Sequence, residues 1–190
     1  MEIDFCALFY FVLYTILCLW IGSDLDFNFR NLFRSKKRKG RLFEEYIVNL
    51  FNYGEHNYFK LIDWRGDKKF KNVSPESNTY PDLQYDFSHD GYSHRFAIEC
   101  KYRNIYNVLK NGKLSISDYQ LKNYRRFQDN NKIPVYLVIG LGVDPKSVYE
   151  LYIVPLNDIK SCVIPYSYLM RYYRHPKKRF YFDREFKKLK

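Results

Sequence analysis

The sequence predicts an α/β domain preceded by one transmembrane helix, and three observations carry that expectation. Residues 5–23 hold no charged side chain, over a length at the lower edge of what an α-helix needs to cross a hydrocarbon core. Residues 80–103 form two runs of alternating apolar and polar side chains around Asp90-Gly91, a two-residue hairpin signal. Helical periodicity at 41–51 precedes that hairpin, and a second helical stretch at 115–127 leads into a continuous apolar run, Pro134 to Val143, of the kind that forms a strand buried on both faces.

The N-terminal stretch FCALFYFVLYTILCLWIGS has no polar face such as a helix on a globular core would show. Its start is acidic and it exits through Ile21-Gly22-Ser23-Asp24, which lacks the basic beginning and small-residue cleavage site of a secretory signal. It therefore reads as a retained anchor over residues 1–29. Arg30, Arg34 and the run Lys36-Lys37-Arg38-Lys39 follow it while nothing basic precedes it, so the positive-inside bias places the N-terminus outside and the large domain in the cytoplasm. Residues 30–39 read as a basic juxtamembrane linker and 40–190 as the folded domain.

Charge is distributed as unevenly as hydropathy. Glu2, Asp4, Asp24 and Asp26 are the only charged side chains before Arg30, so residues 30–190 carry all 32 basic residues against 17 of the 21 acidic ones. A surplus of that size suits a polyanionic partner, either nucleic acid or an anionic membrane surface, although a Lys- and Asn-rich composition also follows from genomic base bias. Cys6 and Cys18 lie in the apolar stretch and Cys100 and Cys162 lie far apart, which makes neither a disulfide framework nor a zinc set.

Along the domain, Phe43, Ile47 and Leu50, with Tyr46 and Phe51, share one helix face, and Glu44 and Glu45 sit in its first turn, where carboxylates suit the helix dipole. Tyr58 to Trp64 reads as a strand, followed by a polar loop to Tyr80. If Asp90-Gly91 forms the hairpin loop, His89 pairs with Tyr92 and every cross-strand pair has residue numbers summing to 181. Leu83, Tyr85, Phe87, Phe96 and Ile98 then share one face, while Asp82, Gln84, Asp86, Arg95 and Glu99 share the other. A one-residue slip would mix the two sets.

On this register Asp82 lies opposite Glu99, and Lys101, two residues on, projects from the same face. Carboxylates so close repel one another unless a cation sits between them, and a hard divalent ion with oxygen ligands is the natural occupant. A solvated Asp, Glu and Lys cluster on a sheet edge is the plain alternative. After Arg103 a polar loop is expected up to Ser115, and then a helix on which Ile116, Gln120, Tyr124 and Phe127 share a face. Ser117-x-x-Gln120 is also a capping box. Glu150 to Val154 reads as another strand, and a helix around Tyr166–Tyr173 precedes a basic, aromatic tail.

Gly40-x-x-Phe43-Glu44, Pro81-Asp82, Glu99-Cys100-Lys101 and Gln120 followed by Tyr124, in that order over residues 40–155, resemble the core of the PD-(D/E)xK nuclease superfamily, also called restriction-endonuclease-like. The resemblance implies a mixed central β-sheet flanked by helices and a Mg²⁺-dependent nuclease, with Mn²⁺ as substitute, acting on nucleic acid, with DNA expected ahead of RNA, in restriction, repair or defence. It implies that Asp82, Glu99 and the backbone carbonyl of Cys100 ligate the metal, and that Lys101 orients or activates the attacking water. Glu44 matches an acidic residue of the first helix that joins the site directly or through water, with Glu45 as the alternative should the helix phase be off by one. Gln120 matches a residue that reaches toward the metal or the scissile phosphate. Nucleases of this size often cut two strands as homodimers. The competing expectations are a catalytically inactive nucleic-acid-binding module of the same fold and a membrane-associated scaffold that binds anionic lipid.

Overall fold

The computed structural model describes residues 35–52, 58–65 and 79–190. The chain divides into two compact units, Met1–Arg38 and Lys39–Lys190, and the second is described here. The apolar stretch 5–23, on which the anchor expectation rests, lies outside the described residues, as does most of the loop before Tyr80. Among the described residues no helix is long and apolar enough to cross a membrane.

Helix α1, over residues 35–51, leads into β1 (Phe59–Trp64), the hairpin β2 (Leu83–His89) and β3 (Tyr92–Asn104), then α2 (Ile105–Asn111) and β4 (Lys113–Ser115). Next come α3 (Asp118–Asn131), β5 (Val135–Gly142), β6 (Glu150–Pro155), β7 (Val163–Pro165), α4 (Tyr166–Leu169) and three two-residue strands, β8 (Tyr173–Arg174), β9 (Phe182–Asp183) and β10 (Lys188–Leu189). Six strands make a central sheet in the order β1-β2-β3-β5-β6-β8, with β4–β7 and β9–β10 as separate two-stranded sheets. All central neighbours are antiparallel except β3 and β5, which are parallel. That pair needs a crossover, and α2, β4 and α3 supply it. The sheet is therefore mixed and flanked by helices, the architecture expected from the element order.

The hairpin register is the one the sequence predicts. Every pair from Leu83↔Ile98 to His89↔Tyr92 sums to 181. Asp90 and Gly91 have φ of 50° and 75°, so both central residues of the turn are left-handed, as a turn that matches the strand twist requires. The alternation of β2 and β3 then divides the interior. Leu83, Tyr85, Phe87, Phe96 and Ile98 pack under α1 with Phe43, Ile47 and Phe51, and the C-terminal Phe180, Phe182 and Leu189 join them. Ala97 belongs to the opposite core, where Leu121, Tyr124 and Phe127 of α3 meet Leu137 and Ile139 of β5. Strand β5 is buried along its whole length because both layers press on it.

Three expectations change. Helix α1 is already formed at residue 35, ahead of Gly40, so residues 35–39 are helix rather than linker, and Glu44 and Glu45 lie in the helix interior and not in its first turn. The segment after Arg103 is not a loop: Asn104 caps α2 by accepting from the Tyr106 N–H, and Gly112, at φ 63°, ends it, so a polar composition hid a complete pair of helix signals. Helix α3 begins at Asp118, which puts Ile116 before the Ser117 cap rather than on the helix face. There it joins Leu121 in the same core, the contact of a hydrophobic staple. Beyond α4 the basic tail contributes β8 to the sheet edge and the β9–β10 pair, strands too short to leave a periodic signal.

Candidate active site

Glu99 and Lys101 lie on β3, the strand shared by the antiparallel and parallel halves of the sheet, and alternation points both toward the α3 layer. They are 4% and 8% exposed, so this pair is not a solvated edge cluster. Lys101 Nζ forms an ion pair with Glu99 Oε1 and donates to the Tyr124 hydroxyl at 3.2 Å. Burying two charges is costly unless they are paired and hydrogen-bonded, and Tyr124 provides the second contact. Burial, and then the Glu99 carboxylate, push the Tyr124 hydroxyl well above its ordinary pKa, so it keeps its proton.

Asp82 stands just ahead of β2, one residue before the ladder begins, and its carboxylate Oδ2 accepts the Cys100 N–H at 2.8 Å. The expected facing pair Asp82 and Glu99 is therefore not a ladder pair: Asp82 turns to the main chain of β3 at the residue between Glu99 and Lys101. Its backbone is held by Arg65, whose N–H donates to the Asp82 carbonyl at 2.7 Å. The Arg65 guanidinium donates to the Pro81 carbonyl at 3.4 Å and to Gln84 Oε1 at 3.2 Å, pairs with Asp63 at 2.6 Å, and lies 5.2 Å from the Tyr80 ring centroid. An extra residue in β1, where the register shifts between Leu61 and Asp63, redirects the strand end so that Trp64 pairs with Leu83.

That bulge also brings Trp64 to α1, where Trp64 Nε1 donates to Glu44 Oε2 at 2.8 Å. Glu45 instead pairs with Arg41 on the same helix, so the phase of α1 directs Glu44, not its neighbour, toward the sheet. The charges register this approach. Burial raises the Asp82 carboxyl well above its usual pKa, and the negative charges of Glu99 and then Glu44 raise it further, against the opposing Cys100 N–H and Lys101. The Cys100 thiol is pushed up by burial and by the same three carboxylates. Glu44, Asp82, Glu99 and Lys101 are thus electrostatically one cluster.

Gln120 is half-buried on the first turn of α3, and its N–H donates to Ser117 Oγ at 3.2 Å. This is one half of the capping box. The Gln120 side chain makes no hydrogen bond to a described residue. It lines a cavity of about 450 Å³ together with Ser117, Tyr119, Asn123 and Tyr124 of the same segment and with Thr79. Sequence reasoning missed Arg65 and Arg103, whose half-buried guanidinium feels the Glu99 carboxylate, and it named Tyr124 only as a companion of Gln120 without a role at Lys101. Arg103 follows Lys101 by two and so shares its face, and Tyr124 is one helical turn past Gln120; both were open to the same parity argument. Nothing local marked Arg65, because its role depends on the β1 bulge.

A second cavity, of about 550 Å³, lies at the far edge of the sheet. Arg171, Arg174, Lys178, Lys188 and Lys190 line it against the single carboxylate of Asp158. Arg174 Nε and Nη1 are buried without a hydrogen-bond partner, and burial lowers the guanidinium pKa to about 10.

Fold and site together define a mixed-sheet α/β domain that gathers three carboxylates and a buried lysine around the C-terminal half of its central strand β3. No family model matches the chain, and no curated protein matches it. Among solved structures it is similar to Hjc, a Holliday junction resolvase from the archaeal hyperthermophile Archaeoglobus fulgidus, at 18% identity and a TM-score of 0.47, over 72% of this chain and 95% of that one.

Proposed function

We propose that the chain is a divalent-metal-dependent nuclease that hydrolyses phosphodiester bonds, with DNA as substrate. The observation that carries the reading is the buried Glu99–Lys101 pair beside Asp82, a cluster whose burial costs stability and which the packing of the sheet does not require. Membrane tethering through residues 5–23, with the nuclease unit on the cytoplasmic side, belongs to the same proposal and rests on the sequence. The full chain should sediment with membranes and be released by detergent, and recovery in the soluble fraction without detergent would remove the tether.

The donor set fits a hard cation in charge and chemistry. Burial first, and then the neighbouring carboxylates of Glu99 and Glu44, favour the neutral form of Asp82, and a divalent ion would offset the repulsion among the three. Among the described residues no three His, Cys, Asp or Glu side chains already close around an ion, so the ion would be held by Asp82 and Glu99, with the Cys100 carbonyl, Glu44 and water completing it, in keeping with the way Mg²⁺ retains waters. Bound there, Mg²⁺ or Mn²⁺ would lower the pKa of a bound water and neutralise charge on the phosphate. The protein's own part is positional. Tyr124 and Glu99 hold the Lys101 ammonium where it meets the charge developing on the phosphate oxygens, and Arg65 fixes Pro81-Asp82.

The test uses the full chain in detergent with supercoiled, linear and single-stranded DNA, in Mg²⁺, Mn²⁺ or EDTA. Lys101→Met keeps the length of the side chain and removes its charge; it should lower cleavage by about 10²–10³-fold with DNA binding retained. Cleavage at the wild-type rate by this variant, or in EDTA, would end the reading. Retained binding without any cutting by the wild type would favour the inactive binding module.

Binding itself is assigned to dispersed cations, including those of the 550 Å³ groove. Lys178→Gln with Lys188→Gln should lessen the slope of log affinity against log salt by about 0.7–0.9 for each phosphate that goes unneutralised, as read by anisotropy titration at several salt concentrations. An unchanged slope would exclude the groove from the DNA path.

A further inference from the structure

The groove at the β8 edge stands apart from the carboxylate cluster in position and in sign. Arg174 pairs with Leu151 in the β6–β8 ladder and shares its face, the one that packs on α1, whereas Glu99 and Lys101 point to the α3 layer. Strands β5 and β6 lie between β3 and β8, a separation of roughly 14 Å at about 4.8 Å per strand. Of the cations that line the groove, Lys190 has a carboxylate partner, Asp183 at 2.7 Å, while Arg171, Arg174, Lys178 and Lys188 form no ion pair with a described residue. The one carboxylate side chain of the lining, Asp158, already accepts from the Tyr172 hydroxyl at 3.2 Å. Arg174 supplies an independent observation. Its guanidinium carbon lies 4.1 Å from the Phe180 ring centroid, its Nη2 donates to the Lys178 and Arg179 carbonyls, and its Nε and Nη1 are buried without a partner. Burial lowers its pKa to about 10, opposed by the Tyr46 and Tyr181 hydroxyls, neither of them a carboxylate. A buried cation is costly unless an anion lies near it, and the groove is where one would reach it. The turn that carries Lys178 is held from two sides, by Arg174 and by the Tyr46 hydroxyl of α1, which donates to the Pro176 carbonyl at 2.8 Å.

We propose that this groove is a binding site for a phosphomonoester dianion, the group carried by a free mononucleotide and by the phosphorylated end of a strand. Affinity for the group does not rest on the nuclease reading; a strand end as its source does. A surplus of cations gathered around about 550 Å³ suits a concentrated charge. A monoester brings nearly two negative charges and three strong acceptor oxygens to one point, whereas each diester of a DNA backbone brings one charge. That charge offsets the Arg174 guanidinium through a short path of low dielectric, and the buried nitrogens need not turn outward for it. Lys178 and Lys188, which are exposed, supply the direct contacts. Tyr173 and Tyr181, each 47% exposed in the same lining, offer rings to the sugar and base that a nucleotide phosphate carries.

The experiment titrates the full chain, in detergent and EDTA so that no cleavage intervenes, with deoxyadenosine 5′-monophosphate and with its 3′,5′-cyclic form. The cyclic form keeps base and sugar and turns the monoester into a diester. The monophosphate should bind about tenfold or more tightly, the worth of one added charge-assisted hydrogen bond. Lys178→Gln combined with Lys188→Gln should remove most of that difference, and so should Arg174→Met. The two lysines are exposed, so their variant decides the matter even if Arg174→Met fails to fold. Single-stranded oligo-dT with a 5′-phosphate or a 5′-hydroxyl then identifies the source. Tighter binding of the phosphorylated strand by about tenfold assigns the strand end, and equal binding of the two strands, with the mononucleotide preference intact, assigns the free nucleotide; either supports the site. Equal affinity for the monophosphate and its cyclic form, or an unaltered difference in the lysine variant, overturns it. Monoester-selective binding by a chain that never cuts DNA in Mg²⁺ ends the nuclease reading and leaves the site standing, and Mg²⁺-dependent cutting without monoester preference does the reverse.

Discussion

Glu99→Gln is expected to reduce Mg²⁺-dependent DNA cleavage by about 10²–10³-fold while leaving DNA affinity within a few-fold of the wild type. The side chain is buried, touches Lys101 and stands across from Leu137 in the centre of the sheet, so an isosteric replacement preserves shape while removing the charge that would hold a cation. Truncation to alanine is the poorer test. It leaves the Lys101 ammonium buried without its partner, which costs about 3–5 kcal/mol on its own and confuses lost chemistry with lost folding. Asp82→Asn makes the companion measurement. The folded-state pKa of Asp82 is raised, chiefly by burial and then by Glu99 and Glu44, so the neutral form is the one the fold prefers. The sign follows from linkage: this group contributes stability below the unfolded carboxylate pKa of about 3.9, and that contribution is lost as pH rises through the raised folded pKa. At neutral pH without metal, Asp82→Asn should therefore melt at a higher temperature than the wild type and yet fail to cleave. An Asp82→Asn protein that melts lower, or cuts normally, would remove Asp82 from the charged cluster.

Gly140→Ala is expected to lower stability without touching a charged group. Gly140 lies on β5, and a Cβ built there would stand 2.2 Å from Phe43 Cε2 and 2.5 Å from Cζ, with Val148 at 3.0 Å. Phe43 is fully buried, so its ring has nowhere to retreat without moving α1 off the sheet. Overpacking of this kind costs about 1–3 kcal/mol, and a domain of this size loses roughly 2–4 °C in Tm per kcal/mol. The effect should reach the site as well, because Glu44 is the residue after Phe43 and shifts with it. Phe43→Leu combined with Gly140→Ala should recover part of the stability, since the smaller side chain vacates the space that the new methyl group occupies. Additive losses in the double variant would show that the two positions do not meet.

The legibility of this chain varies with how local each determinant is. The β2–β3 hairpin could be read to the residue because a two-residue Asp-Gly turn sets the register and side-chain alternation checks it. The same arithmetic put Glu99 and Lys101 on one face. Helix α1, with its Phe43 and Ile47 face, and the doubly buried β5 were equally plain, since each repeats a short-range period. Helix α2 was passed over because Asn104 and Gly112 look like loop residues until their capping role is recognised. The short strands at the C-terminus left no pattern at all, for two residues make no period and their pairing is set wholly by distant neighbours.

What the sequence by itself determined is the list of chemical groups and the face on which the hairpin presents them: Asp82, Glu99 and Lys101, with a pair of adjacent carboxylates, Glu44 and Glu45, on α1. What only the tertiary structure decided is how those groups meet. Whether Glu44 or Glu45 turns inward depends on the docking of α1 on Gly140 and on the bulge that aims Trp64. Whether Asp82 faces Glu99 or turns to the Cys100 N–H depends on Arg65 arriving from another strand. Whether Lys101 is solvated or buried depends on Tyr124 closing over it. Register follows from hydrogen bonds between residues close in the chain, and these a sequence encodes locally. Burial and charge proximity follow from the packing of layers whose contacts join residues tens of positions apart, and only the assembled fold contains them.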